Sequence, residues 1–156
     1  FTYWRLQIKH NGADPGSLYC MMHNLDLYSG ANKTGTKYPQ TVLTSATSDP
    51  DLTVTWGYSY PGREFWETMD SNETGSDWWT ISSPNVTPSP DWGQLEFSSA
   101  VTLASIEVTV NATYTNANQI QVLGSNTGSF TGEEILCGTF TGVDAGSGNQ
   151  TYLLNI

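Results

Sequence analysis

Positive charge is what this sequence lacks most. It carries five Lys and Arg residues against 15 Asp and Glu residues, which gives a formal net charge of −10 at pH 7. Proteins that bind nucleic acids draw much of their affinity from Lys and Arg contacts to phosphates, and anionic membrane surfaces demand the same residues. We therefore expect neither nucleic acid nor an anionic membrane as a partner.

Long apolar runs and helical periodicity are also missing. No run approaches the roughly 20 apolar residues that span a bilayer, so we predict no membrane insertion. Gly, Pro, Asn, Asp and Ser interrupt every window in which apolar residues could recur with a 3.6-residue period, and helix should therefore be scarce. Neither a basic region nor an apolar core of a signal peptide follows Phe1, and we expect no signal peptide in these 156 residues.

Residues arranged for catalysis or metal binding are few. Cys20 and Cys137 lack the spacing of a metal site, and they permit either one disulfide or two buried thiols. His10 and His23 stand far apart, and the chain has neither a Gly-x-Ser-x-Gly nor a His-Glu-x-x-His motif. We therefore predict that the protein is not an enzyme.

Aromatic residues, in contrast, are abundant, with six Trp, eight Tyr and five Phe, so the chain is expected to fold. Its length fits a single domain, 1–156. Short apolar or alternating segments separated by turn residues indicate many strands, in a sandwich or barrel. The predicted strands are Tyr3–Lys9, Leu18–Tyr28, Leu52–Thr55, Trp78–Ile81, Gly93–Phe97, Ile106–Val110, Gln119–Leu123, Ile135–Phe140 and Thr151–Ile156.

The alternation within these strands predicts which side chains enter the core. It is clearest in Ser105–Val110 and Gln119–Leu123. In the first strand it directs Trp4, Leu6 and Ile8 inwards and Arg5, Gln7 and Lys9 to solvent. Loops are predicted between residues 29 and 50, over 82–91 and over Gly142–Gly148.

Several segments together resemble the discoidin, or coagulation factor 5/8 C-type, domain. They are Phe65–Trp79, Trp92–Val110 and Ile120–Phe130, the last of which contains Gly-Ser-Asn-Thr-Gly-Ser-Phe. Tyr3–Ile8 and Asn24–Tyr28 resemble the strand that closes such domains, although here that strand comes first. This permuted order is similar to domains of phage virion and tail proteins and of bacterial surface proteins.

The resemblance implies an all-β, antiparallel β-sandwich of the galactose-binding-like, jelly-roll type. It also implies a non-catalytic carbohydrate-binding or adhesion module that meets a surface glycan, outside the cell or on a virion. Two alternatives stay open. The first is a structural virion or filament subunit that contacts copies of itself or other virion proteins, and the second is a polysaccharide hydrolase using a carboxylate pair among Glu64, Glu67, Asp70 and Asp77.

The candidate ligand-binding residues are aromatic side chains and an Arg in Gly- and Pro-rich surroundings. Sugar rings pack their C–H faces on aromatic planes, while their hydroxyl groups need polar partners. Simple packing is the alternative for these rings, and for Trp92 we expect a place in the core. The predicted contacts are Trp56, Tyr58, Tyr60, Arg63, Trp78 and Trp79.

A calcium ion is the one cofactor that the sequence suggests. Asp70, Asn72, Thr74 and Asp77 place hard oxygen donors within eight residues, as a cation that takes six to eight oxygens requires. Many discoidin-like modules hold a structural calcium ion in the corresponding loop. The alternative is a solvated acidic turn.

Overall fold

The computed structural model describes residues 1–9, 19–57, 59, 62–70, 78–81 and 92–156, with the backbone alone for Tyr19 and for 78–81. These residues form ten strands and three short 3₁₀ turns, and none of them lies in an α-helix. The strands are β1 (Tyr3–Lys9), β2 (Tyr19–Gly30), β3 (Thr34–Tyr38), β4 (Leu52–Trp56), β5 (Trp78–Ile81), β6 (Trp92–Phe97), β7 (Ser105–Asn111), β8 (Gln119–Ser125), β9 (Ile135–Thr141) and β10 (Asn149–Asn155).

Two antiparallel sheets pack face to face as a sandwich. The first sheet has the order β4-β6-β1-β8-β9, and the second has the order β10-β7-β2-β3, with β5 paired to the start of β2. The predicted all-β, antiparallel β-sandwich is confirmed. All nine predicted strands are present within a few residues of their expected bounds.

The core lies between the sheets and is filled by the alternating positions of the central strands. Trp4, Leu6 and Ile8 of β1 are buried as predicted. The apolar positions of β8 lie beside them in the first sheet, those of β7 face them from the second, and 23 buried residues form one continuous cluster. Because successive side chains point to opposite faces of a strand, every second residue of these paired strands enters the core.

β3 is a strand that sequence reasoning placed in a loop. It pairs with β2 through Leu27 opposite Tyr38 and Tyr28 opposite Lys37. Its first four residues are exposed and include Gly35, so it lacks the apolar alternation by which a strand is recognised. Backbone pairing at the edge of the sheet, rather than burial, makes this segment a strand.

Arg5 and Gln7 of β1 and Trp92 of β6 have environments that differ from the predicted ones. Gln7 is buried, and Arg5 is only partly exposed because its guanidinium lies 4.2 Å from the centre of the Trp92 ring and 4.0 Å from that of Phe130. Trp92 therefore stacks on the outer face of the first sheet instead of entering the core. Lys9 is exposed as predicted.

Cys20 and Cys137 form no disulfide, so the alternative without a disulfide is the correct one. Cys20 lies on β2 and is fully buried, and Cys137 lies on β9 and is partly buried. No helix within the described ranges is long and apolar enough to cross a membrane.

Candidate functional site

The sandwich has two ends that differ in chemistry. β4 begins at Leu52, beside Phe97 of β6, and ends at Trp56, beside Gly93. We call the end marked by Leu52 and Phe97 the cleft end and the end marked by Trp56 and Gly93 the loop end. Five residues of strand, at about 3.3 Å each, separate the two along β4.

A cleft of about 630 Å³ opens at the cleft end. Its lining comes from three connections, which are residues 38–41 after β3, 49–52 before β4 and 97–102 after β6, together with Ser29 of β2. The volume lies within the range of roughly 300–1,000 Å³ that is usual for small-ligand sites.

One wall of the cleft is aromatic. Tyr38 of the second sheet meets Phe97 of the first edge to face, with ring centres 5.5 Å apart and planes at 73°. Phe97 is almost completely buried, whereas Tyr38 keeps part of its surface accessible. The pair therefore joins the two sheets and leaves Tyr38 as the aromatic surface available to a ligand.

The other wall carries two carboxylates held in fixed positions. Asp49 accepts hydrogen bonds from the Thr41 hydroxyl at 2.9 Å and from the Asp51 backbone N–H at 2.8 Å. Asp51 accepts one from the Ser98 hydroxyl at 2.9 Å. A carboxylate has room for about four such bonds, so the exposed Asp51 can accept further hydrogen bonds from a ligand, and Asp49 holds the turn beside it.

Among the described residues, no Lys or Arg forms an ion pair with these carboxylates. The ion pairs seen among the described residues join Lys33 to Glu107 and Lys37 to Asp26, and neither involves Asp49 or Asp51. Asp49 is nevertheless only 8% exposed. The cleft consequently presents hydrogen-bond acceptors and negative potential next to an aromatic surface.

Four of the six predicted ligand contacts are described, and they lie at the loop end. Trp56 is partly buried and packs against the core, and Arg63 is partly buried two residues before a 3₁₀ turn, Phe65–Met69. The backbone of β5 brings Trp78 and Trp79 to the same end, opposite Met22 and Met21 of β2. Tyr58 and Tyr60 lie outside the described residues, and the role of all six residues stays a prediction.

The 3₁₀ turn at the loop end uses two of the acidic residues considered for catalysis. Glu67 accepts a hydrogen bond from the Glu64 backbone N–H at 2.8 Å, and the Glu64 carboxylate accepts from a backbone N–H of the turn and from the Trp66 indole at 2.6 Å. Burial raises the pKa of Glu67 above its ordinary value. Both carboxylates thus cap the turn, which accounts for their positions without a catalytic role.

Of the predicted calcium ligands, the structure describes only Asp70. It follows the 3₁₀ turn, and its backbone N–H donates to the Glu67 carbonyl at 3.4 Å. Asn72, Thr74 and Asp77 lie outside the described residues. Within the described ranges no group of three or more His, Cys, Asp or Glu residues could hold a metal ion.

Sequence reasoning missed the cleft because its lining is spread from Ser29 to Thr102. Tyr38 and Asp49 fall in the segment predicted to be a loop, and Phe97 falls at the end of a strand. The only local signal is Asp49-Pro50-Asp51, a turn sequence with two carboxylates. Only the pairing of β4 with β6 and of β3 with β2 brings these residues together.

The fold and the site define the chain as an antiparallel β-sandwich with an aromatic and acidic cleft at one end. No protein-family model, no curated protein and no solved structure matches it.

Proposed function

We propose that this protein is a non-catalytic carbohydrate-binding module whose ligand lies in the cleft at the cleft end. The observation that supports it most is that Tyr38, Asp49 and Asp51 line one cavity. A sugar ring offers an apolar C–H face to the first and hydroxyl donors to the second. Carboxylates only accept hydrogen bonds, so they suit a ligand that is rich in hydroxyl groups.

The discoidin, galactose-binding-like resemblance supports the same proposal by a separate route. It would place the module on a virion or cell surface, bound to a glycan, with a structural calcium ion near Asp70. In that setting Trp56, Arg63 and the aromatic residues of the loop end would add a second contact region. The capping roles of Glu64 and Glu67 favour binding over hydrolysis.

A glycan-array screen of the purified chain, with calcium and with EDTA, tests the proposal. Ser99 is exposed on the rim of the cleft, so Ser99→Trp should fill the cavity and abolish array binding. The control is Ser147→Trp, an equally exposed position before β10, at the other end of the sandwich. Equal glycan binding by both variants, or no binding by the wild-type chain, contradicts the proposal.

Self-assembly as a structural subunit is a second candidate, favoured by the edge strand β9. Its sequence, Ile-Leu-Cys-Gly-Thr-Phe-Thr, has no charged residue, although edge strands are commonly protected by charge or Pro. Ile135 and Leu136 are 56% and 54% exposed. Analytical ultracentrifugation should then show an oligomer that Leu136→Lys dissociates, and a wild-type monomer at all accessible concentrations contradicts this candidate.

A further inference from the structure

An apolar groove of about 320 Å³ lies beside the cleft. Trp4 of β1 and Cys137 of β9 contribute from the first sheet, and Ile156 follows β10 of the second. None of the seven lining side chains is charged, and Thr102 is the only one with a hydroxyl group. The groove thus differs sharply from the acidic cleft next to it.

The base of the groove is formed by closely packed, buried apolar side chains. Trp4 is 3% exposed, and its ring meets that of Phe1 edge to face with centres 5.3 Å apart and planes at 83°. Leu103 is 4% exposed. A cavity with such walls gains little from water, because water needs two to four polar partners, and it favours an apolar group instead.

Cleft and groove share a common boundary. Val101 and Thr102 line both. Val101 is fixed by two backbone hydrogen bonds, in which its N–H donates to the Phe1 carbonyl at 3.0 Å and its carbonyl accepts from the Phe1 nitrogen at 3.1 Å. A ligand seated in the cleft therefore lies one residue's width from an apolar cavity with a fixed wall.

We propose that the ligand of the cleft is a glycan that carries an apolar substituent, an alkyl or acyl chain, and that this chain enters the groove. The inference rests on the proposed function, because it assigns the sugar to the cleft. It follows from the shared boundary: the acidic cleft accepts the hydroxyl groups, and the groove, whose lining side chains carry no charge, accepts a chain attached to the same sugar. Neither cavity alone offers both environments.

Calorimetric titration with methyl and butyl β-D-galactosides and β-D-glucosides tests the inference. The butyl compounds carry three more methylene groups, and full burial would tighten binding by about fourfold for each, or about 60-fold in total. We expect at least about a tenfold preference for a butyl glycoside over its methyl partner, allowing for partial burial. Equal affinities overturn the inference and leave the proposed function standing, whereas failure of all four glycosides overturns both.

A matched pair of variants tests whether the alkyl or acyl chain of the ligand lies in the groove. Cys137→Phe should fill the groove, remove the preference for the butyl compound and leave the affinity for the methyl compound unchanged. Leu136→Phe, next to it on β9 and outside the groove lining, should keep the preference. Persistence of the butyl preference in a folded Cys137→Phe variant overturns the inference.

A second measurement covers the case in which Cys137→Phe does not fold. In the wild-type chain Cys137 is the only one of the two thiols with accessible surface, since Cys20 is fully buried. A butyl glycoside at saturation should slow alkylation of Cys137 by N-ethylmaleimide at least about tenfold, and the methyl glycoside should not. Equal alkylation rates with the two glycosides overturn the inference.

Discussion

Glu133 organises the turn that follows β8. Its carboxylate accepts hydrogen bonds from the Ser125 hydroxyl at 2.8 Å, from the Ser129 hydroxyl at 3.1 Å and from the Phe130 backbone N–H at 3.0 Å. The bond from Ser125 is the main cause that lowers the pKa of Glu133 below its ordinary value of 4.5, with smaller contributions from the rest of the turn. One surface carboxylate therefore positions the loop that carries Phe130 onto Arg5.

The lowered pKa of Glu133 predicts a pH dependence of stability. A carboxyl group whose pKa is lower in the folded state stabilises the fold above its unfolded pKa, and this stabilisation is lost as the pH falls through the folded value. Urea unfolding of wild type and Glu133→Gln should thus differ by a constant free energy above about pH 4.5, and the difference should shrink below it. A difference that stays constant down to pH 2 would contradict this assignment.

Arg5 shows why alternation did not predict every environment. The β1 pattern correctly assigns Arg5 to the outer face, but it contains no information about what covers that face. Trp92 comes from a neighbouring strand and Phe130 from a distant loop, and together they enclose the guanidinium, which also donates to Gln94 Oε1 at 2.7 Å. An outer face is therefore not the same as a solvent-exposed one.

At the scale of the element, β6 depends on a residue without a side chain. Gly93 lies directly under the Phe65 ring, and a Cβ atom at this position would overlap it. Phe65 is fully buried, so the ring cannot swing out to solvent. The close approach packs the 3₁₀ turn Phe65–Met69 onto the first sheet.

Gly93→Ala is predicted to destabilise the protein by about 1–3 kcal/mol, the usual cost of overpacking a core. Thermal and urea unfolding measure the change. The matched experiment introduces Gly93→Ala into a Phe65→Leu background. There the smaller side chain should reduce the loss of stability that Gly93→Ala causes. An additional loss as large as in the wild-type background would show that the Phe65 ring is not the cause.

Strands were predictable where burial imposes alternation, as in β7 and β8. β3 was not, because its exposed Thr, Gly and Lys residues carry no apolar period and its structure depends on pairing with β2. The loop-end residues Trp56, Trp78 and Trp79 stood out as aromatic runs in the sequence. Tyr38, Asp49 and Phe97 did not, because a site built from separate strands has no local signature.

At the scale of the whole molecule, negative charge should select among glycans. The chain carries a formal charge of −10, and no ion pair offsets Asp49 and Asp51 in the described residues. Glycans that contain uronic or sialic acids should consequently bind more weakly than neutral ones of the same size. Raising the salt concentration should reduce the difference in affinity between acidic and neutral glycans, because exposed charges are screened within about 10 Å at 0.1 M salt.

The Asp51→Asn variant tests whether the cleft causes the preference for neutral over acidic glycans. It removes one negative charge from an exposed rim position while keeping an oxygen that can accept the Ser98 hydrogen bond. Array binding of acidic glycans should rise relative to neutral ones, with Asp144→Asn, which lies outside the cleft, as the control. An unchanged ratio in Asp51→Asn would show that the cleft charge does not govern selectivity.

NMR mapping of backbone amides tests whether carbohydrate occupies the cleft. The chain, labelled with ¹⁵N, is titrated with the strongest neutral glycan from the array. The account predicts that the largest chemical-shift changes fall within residues 38–41, 49–52 and 97–102. Changes confined to the loop end, around Trp56, Arg63 and Trp78–Ile81, would contradict it.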